Sequence, residues 1–295
     1  MTVRTRTVRR ASVAAELRHG HRAGTLVVED AGSHRLKRTR MDRVIGWLCA
    51  SAVLMPAPAV LCAGAESRAG ISGAPLQIGP LSQVEPGLMD LAYIGLLSAG
   101  GVALRVQDEP PPNLGMSPGA FDLGVRDGLR VQTGGPTAKA SDVLMISLVA
   151  GALSAPALVH WSVGPAERRA AMVGAEGLLT TALVTGLTKY SVRRQRPDGY
   201  AADQYAGSRS FFSGHTASAF GSATLVSLYA YEFQWLSEDL RWLVPASSYS
   251  LAAATGYLRV AADKHWATDV CVGAAVGTLT SWLVYKLRTD WLVSN

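Results

Sequence analysis

The sequence predicts an all-α bundle of five to six core helices, embedded in a membrane. Three observations predict it. Hydrophobic residues make up 48% of the 295 and charged residues only 17%, which is more apolar than an ordinary soluble domain. Five apolar stretches (residues 143–161, 170–188, 216–233, 243–258 and 268–285) recur along the second half, several close to the ~20 residues that cross a hydrocarbon core. No run shows the period-two alternation of a half-buried strand, and there is no internal repeat or low-complexity tract.

The chain opens with a basic extension. Residues 1–43 hold 11 Arg or Lys against 4 Asp or Glu, and the remainder holds 17 against 18. The net charge of +6 therefore belongs to the leader, and the body has no basic surplus that would call for nucleic acid. Residues 35–43 are strongly basic, the next eighteen are apolar with a proline break, and Ala63-Gly64-Ala65 precedes Glu66. That order describes a secretory signal peptide cleaved after Ala65, the alternative being an uncleaved anchor helix. Met41 is an alternative start. Leu61 weakens a lipoprotein reading at Cys62, where a small residue is expected. Residues 1–65 are thus read as extension and signal peptide.

Residues 66–140 read as linker and peripheral helices. Residues 66–87 are rich in Gly, Pro and Ser, as an extended linker is. Residues 88–104 are apolar but short, with Asp90 inside. Residues 105–120 contain Pro110-Pro111-Pro112 and read as loop. Residues 121–131 place Phe121, Val125 and Leu129 on one face of an amphipathic surface helix. The five apolar stretches follow within 141–290. They are rich in Ala, Gly, Ser and Thr, which suits close packing in a bilayer and would also suit a soluble helical core.

If the leader is cleaved with its new end outside and residues 88–104 do not cross, being a peripheral or re-entrant helix, the segment from Lys189 to Arg209 lies outside, and Arg168, Arg169, Lys286 and Arg288 lie inside, the arrangement the positive-inside tendency prefers. If they cross, everything inverts. Of three cysteines, Cys49 and Cys62 lie in the leader, so Cys271 has no internal partner and reads as a small buried residue.

Three clusters sit at helix ends. The first runs from Lys189 through Arg193, Arg194 and Arg196 to Pro197, and residues 189–209 hold five basic side chains against two acidic. Such a surplus attracts anions, and arginine forks match phosphate oxygens; alone it is also an ordinary charged interfacial loop. The second, Ser213-Gly214-His215, precedes an apolar helix whose first N–H groups favour a phosphate; alone it is also a plain N-cap. The third places His265 and Asp269 four residues apart on one helix face. A carboxylate on one imidazole nitrogen prepares the other for attack, and alone the pair is equally a structural contact. After residue 65 the histidines are His160, His215 and His265. Two of them fall in these clusters, and His160 reads as structural.

In order, the three clusters resemble the tripartite signature of the type 2 phosphatidic acid phosphatases, shared with class A acid phosphatases and vanadium haloperoxidases. The signature is K-x6-R-P, P-S-G-H and S-R-x5-H-x3-D. Here it reads Lys189-x6-Arg196-Pro197, Phe212-Ser213-Gly214-His215 and Leu258-Arg259-x5-His265-x3-Asp269. Phe212 stands for the family proline and Leu258 for the family serine. The resemblance implies a helical bundle of that family over 141–290 and a phosphohistidine mechanism. His265 would be the nucleophile, Asp269 its orienting partner, and His215 the general acid and base. Lys189, Arg196, Ser213, Gly214 and Arg259 would bind the phosphoryl group. It implies no metal and no cofactor.

The expected function is a membrane phosphatase in the cell envelope, its site facing the periplasm or exterior, acting on a lipid phosphate or isoprenyl pyrophosphate. The alternatives are a secreted soluble acid phosphatase, a vanadate-dependent haloperoxidase and a non-catalytic phosphate-binding membrane protein. The expected partners are the phosphorylated substrate and the membrane.

Overall fold

The computed structural model describes residues 87–294 apart from 108–112, 114–116, 132–134, 162 and 201–206. The leader, its cleavage site and linker residues 66–86 lie outside the described residues. Every regular element among those described is helical: α1 (Leu88–Val106), α2 (Ala120–Leu129), α3 (Gly135–His160), α4 (Pro165–Val192), the single turn α5 (Pro197–Tyr200), α6 (Gly214–Glu232), a 3₁₀ turn (Glu238–Leu240), α7 (Leu243–Ala261) and α8 (Ala267–Ser294). The five apolar stretches became α3, α4, α6, α7 and α8.

Their ends follow from local chemistry. Pro165 opens α4, where its missing N–H costs nothing. Arg193 ends α4 in the left-handed conformation, φ 54°, its N–H returning to the Lys189 carbonyl. The Ser213 hydroxyl caps α6 by accepting from Thr216 N.

Helix α6 is the central column, packing against α3, α4, α7 and α8. Its inward residues are small: Ala217, Ala219, Ala223 and Ala230 have no exposed surface. Small side chains let helix axes approach until dispersion contacts and backbones meet. The approach to α8 is closest at Gly273 and Gly277. A Cβ at Gly273 would lie 2.6 Å from the Ser213 carbonyl oxygen, and one at Gly277 would fall on the Ala217 carbonyl. Away from this seam, Tyr229, Val173, Leu225, Phe233 and Tyr285 form a core between α4, α6 and α8. Leu148, Ala219, Ala223 and Ala252 form another between α3, α6 and α7.

Helices α3, α4 and α8 are each long and apolar enough to cross a membrane. Their outward faces are apolar too: Leu279, Trp282, Leu283 and Leu287 make an exposed stripe along α8, the pattern of a surface that meets lipid rather than water. Cys271 lies on the outside of α8 and is exposed, not buried as its residue type suggested. It faces away from the seam that the glycines of the same helix occupy.

Helix α1 runs along the length of α4, in the same direction. Near its start Asp90 pairs with Arg169 at 2.7 Å and with Arg288, Arg288 also holds Glu176 through Nε at 2.6 Å, and further on Leu104 covers Gly186. After its last turn the Gln107 carbonyl accepts from Arg209 at 2.7 Å. With 19 residues, α1 is about 28 Å long and runs beside residues 169–186 of its longer neighbour. Gly87 and Lys189 therefore sit at opposite ends of the bundle.

His160 pairs with Glu167 at 2.7 Å and meets the Phe233 ring edge-on at 5.2 Å. It is a joint between α3 and α4, as its position suggested.

The glycine seam yields a test. Gly277→Ala should destabilise the protein by about 1–3 kcal/mol, the usual cost of overpacking. Gly151→Ala, with nothing within 4 Å of its added Cβ, should leave stability unchanged or slightly raised. Thermal melts of the purified variants in detergent check both.

Candidate active site

The two histidine clusters and the Lys–Arg cluster meet at one end of the bundle. The last turn of α4 supplies Lys189, the start of α6 supplies Gly214 and His215, the last turn of α7 supplies Arg259, and the loop into α8 supplies His265. Together with Arg196 they line a cavity of about 500 Å³. Residues separated by up to 76 positions are thus brought to one wall by four helix ends.

Lys189 Nζ donates to the carbonyls of Arg209 at 2.6 Å and Ser210 at 3.3 Å, which hangs the loop 207–213 over the cavity. Arg259 Nη1 donates to Ser141 Oγ at 3.2 Å. Leu258, where the family has serine, is buried against Ala140 and Leu144 of α3, and the hydroxyl beside Arg259 comes from Ser141 instead. Nε of Arg196 and of Arg259 is buried and makes no hydrogen bond among the described residues. Four basic side chains, Lys189, Arg196, Arg209 and Arg259, thus line one concave space, which suits phosphoryl oxygens.

Gly214 is needed for space: a Cβ there would press on Thr185 Cγ2 at 3.2 Å and approach Lys189 Cε at 3.9 Å. Ser213 stands behind the wall and is fully buried. Its Oγ accepts from Thr216 Oγ1 at 2.9 Å and Thr216 N at 3.4 Å, so its established task is the cap of α6.

His265 and Asp269 are both buried. His265 Nδ1 lies 3.6 Å from Asp269 Oδ2, a close contact just short of a hydrogen bond. This arrangement leaves Nε2 as the ring nitrogen available to the cavity. Burial pushes the His265 imidazole well below its ordinary value of 6.5. Asp269 pulls the other way, while Lys189 and Arg259 add to the lowering. Burial thus favours the neutral form of the ring, which keeps a lone pair on one nitrogen.

Several residues of this end carried no motif. Asp142, from α3, lies 2.9 Å from His215 Nε2 and 3.4 Å from Arg259 Nη1. Ser210 Oγ donates to Asp269 Oδ2 at 2.5 Å. Arg194, two residues before Arg196, does not face the phosphate cluster but bonds Asp269 Oδ1 at 2.6 Å. Only the acidic and hydroxyl character of residues 141–142 at the mouth of an apolar stretch could have flagged that pair. Among the described residues no group of three or more His, Cys, Asp or Glu side chains is placed to share a metal ion.

Residues 170–292 match the family model described as the PAP2 superfamily. This segment is a PAP2 superfamily domain. All three clusters lie inside the matched range. A lipid A 1-phosphatase from Porphyromonas gingivalis is 42% identical over 111 residues, 36% of this chain. The chain spans only 22% of that relative's length. Among solved structures, a transmembrane PAP2-type phosphatidylglycerolphosphate phosphatase from Bacillus subtilis is 16% identical, with a TM-score of 0.45 over 68% of this chain and 96% of that one.

The buried neutral histidine of this PAP2 domain makes stability depend on pH. The folded chain binds a proton on His265 less readily than the unfolded chain, so stability falls as pH drops below about 6.5, by at most ~1.4 kcal/mol per unit from this group. His265→Gln should show a flatter decline below pH 6.5. Melting curves of both proteins across that range check it, and parallel declines would count against a buried neutral ring.

Proposed function

We propose that the protein is a metal-independent phosphatase of lipid phosphates, working through a phosphohistidine on His265. One observation carries this reading. The cavity that gathers Lys189, Arg196, Arg259, His215 and His265 continues into an apolar wall of Leu97, Val102 and Leu104 from α1, Met145 from α3, and Leu179 and Ala182 from α4. A polar anion site joined to an apolar wall fits a molecule with a phosphate head and a hydrocarbon body. The name of the Porphyromonas relative makes phosphorylated lipid A a substrate to try first, beside isoprenyl pyrophosphate.

In the proposed cycle, the cations hold the phosphoryl oxygens and neutralise the charge that grows on them. His265 Nε2 attacks phosphorus as the bond to the leaving oxygen breaks. That oxygen takes a proton from His215, whose Nε2 is held by Asp142 and whose Nδ1 is the nitrogen left to deliver it. Water then gives a proton back to His215 and attacks phosphorus. The N–P bond breaks, releasing inorganic phosphate and restoring His265.

The catalytic end is proposed to face the exterior. Because α1 traverses the bundle, Gly87 then lies on the inner side. This orientation rests on Arg168, Arg169, Lys286 and Arg288 lying at the same end as Gly87, as the positive-inside tendency prefers, and it takes the place of the expected cleavage after Ala65, which would leave Gly87 outside. Cysteines placed singly at Gly87 and Gly207, in a background with Cys49, Cys62 and Cys271 all changed to Ser, should react with an impermeant thiol reagent from opposite sides, Gly207 from outside.

Phosphate release from phosphorylated lipid A, phosphatidate, isoprenyl pyrophosphate and a soluble aryl phosphate tests the main reading. The lipid substrates should be favoured, EDTA should leave turnover nearly unchanged, and vanadate should inhibit. Rapid quench should trap label on His265, and His265→Ala should lose both turnover and label. His215→Ala should lose about 10²–10⁴-fold on an alkyl phosphate and less on an aryl phosphate, which needs little protonation. Label on another residue, or magnesium rescue after EDTA, overturns the mechanism.

A further inference from the structure

Helix α2 turns two of its three charged residues inward. Asp122 and Arg126 are buried, while Phe121 is 60% and Leu129 is 38% exposed. Apolar burial therefore does not explain why this ten-residue helix sits at the catalytic end, and its polar contacts do. Asp122 Oδ2 accepts from Arg194 Nη2 at 2.6 Å, and Arg194 Nη1 donates to Asp269 Oδ1, also at 2.6 Å. Asp122 Oδ1 accepts from the Thr268 backbone N–H at 2.9 Å, in the first turn of α8. Arg194 Nη1 also reaches Thr268 Oγ1 at 2.8 Å.

The loop that carries His265 is clamped by the same groups. Arg126 and Arg194 lie over the Trp266 ring at 5.8 and 5.7 Å, and Arg126 also holds Asp263 at 2.6 Å. Asp122 and Arg126 both fall outside the range matched by the family model, 170–292.

We infer that Asp122 and Arg194 are positioning residues for His265, acting through Asp269. The carboxylate of Asp269 has two oxygens. Arg194 fixes one, and Ser210 Oγ and the Trp266 N–H, at 2.5 and 3.1 Å, fix the other on the side that faces the imidazole. With both oxygens tied, the carboxylate cannot rotate away from the ring, and its charge stays balanced by a guanidinium rather than by a proton from His265. Asp122 in turn holds Arg194 in place, because a guanidinium bonded to two carboxylates has one low-energy pose. The inference rests on the phosphatase reading for its main test.

That test compares wild type with Asp122→Asn, Arg194→Lys, their double variant and Asp122→Glu, measuring turnover per phosphorylatable site by burst titration. Loss of a group that orients a catalytic ligand commonly costs about 10–100-fold. Asp122→Asn and Arg194→Lys should each lose that much in kcat and in the rate of phosphoenzyme formation, with KM changed less than about threefold. The double variant should be no slower than the worse single one, because the two act as one unit. Asp122→Glu should recover part of the rate.

Unchanged kcat per titrated site, or a loss confined to KM or to the fraction of folded protein, overturns the inference. An inactive wild type means that the phosphatase reading has failed instead. Orthovanadate affinity then reads the position of His265 without turnover: a tenfold or greater weakening in both single variants supports the inference, and equal affinity overturns it.

Discussion

Two glycines let α6 and α8 meet backbone to backbone, and the catalytic end depends on that contact. Gly273 leaves room for the Ser213 carbonyl. Ser213 N in turn donates to the Asp269 carbonyl at 3.0 Å. The start of α6, with Gly214 and His215, is thereby locked against the start of α8, with Asp269. A side chain at either glycine would push these two helix starts apart, and with them the two histidines. The packing of the bundle and the geometry of the site are one constraint seen at two heights along the same pair of helices.

Charge is distributed by the same economy. An apolar bundle can hold ionised groups only where partners meet them. At the end away from the cavity, Asp90, Glu176, Arg169 and Arg288 form a neutral set that ties α1 to α4 and α8. At the catalytic end, Asp122, Asp263 and Asp269 each take an arginine. Lys189, Arg196, Arg209 and Arg259 line the cavity, Arg259 also meeting Asp142 at 3.4 Å. This surplus of cations is what the proposed phosphate would balance, and the apolar wall beside it suits a hydrocarbon body.

The inward-facing charges of α2 explain why an amphipathic pattern alone was a poor guide to its purpose. Phe121, Val125 and Leu129 do share a face, as their spacing required. That face is turned out of the bundle, and the residues that locate the helix are Asp122 and Arg126. Conversely, Arg194 looked like one more phosphate ligand in a basic run. Its guanidinium is consumed by Asp122 and Asp269, and the members of that run that reach the cavity are Lys189, Arg196 and Arg209.

Taken alone, the sequence determined which segments are helices, because apolar runs bounded by Pro, Gly and Ser leave the backbone few other solutions. It also located the residues that match the family's spacings, because Lys189-x6-Arg196-Pro197, Ser213-Gly214-His215 and Arg259-x5-His265-x3-Asp269 are local spacings that survive without a fold. Only the tertiary structure decided that α1 traverses the bundle, that Cys271 is exposed, that Asp142 meets His215, and that Asp122 and Arg194 brace Asp269. Each of these depends on which face of a helix turns inward or on partners as much as 198 positions apart. Such pairings are set by how small residues let helices approach, and no local spacing encodes them.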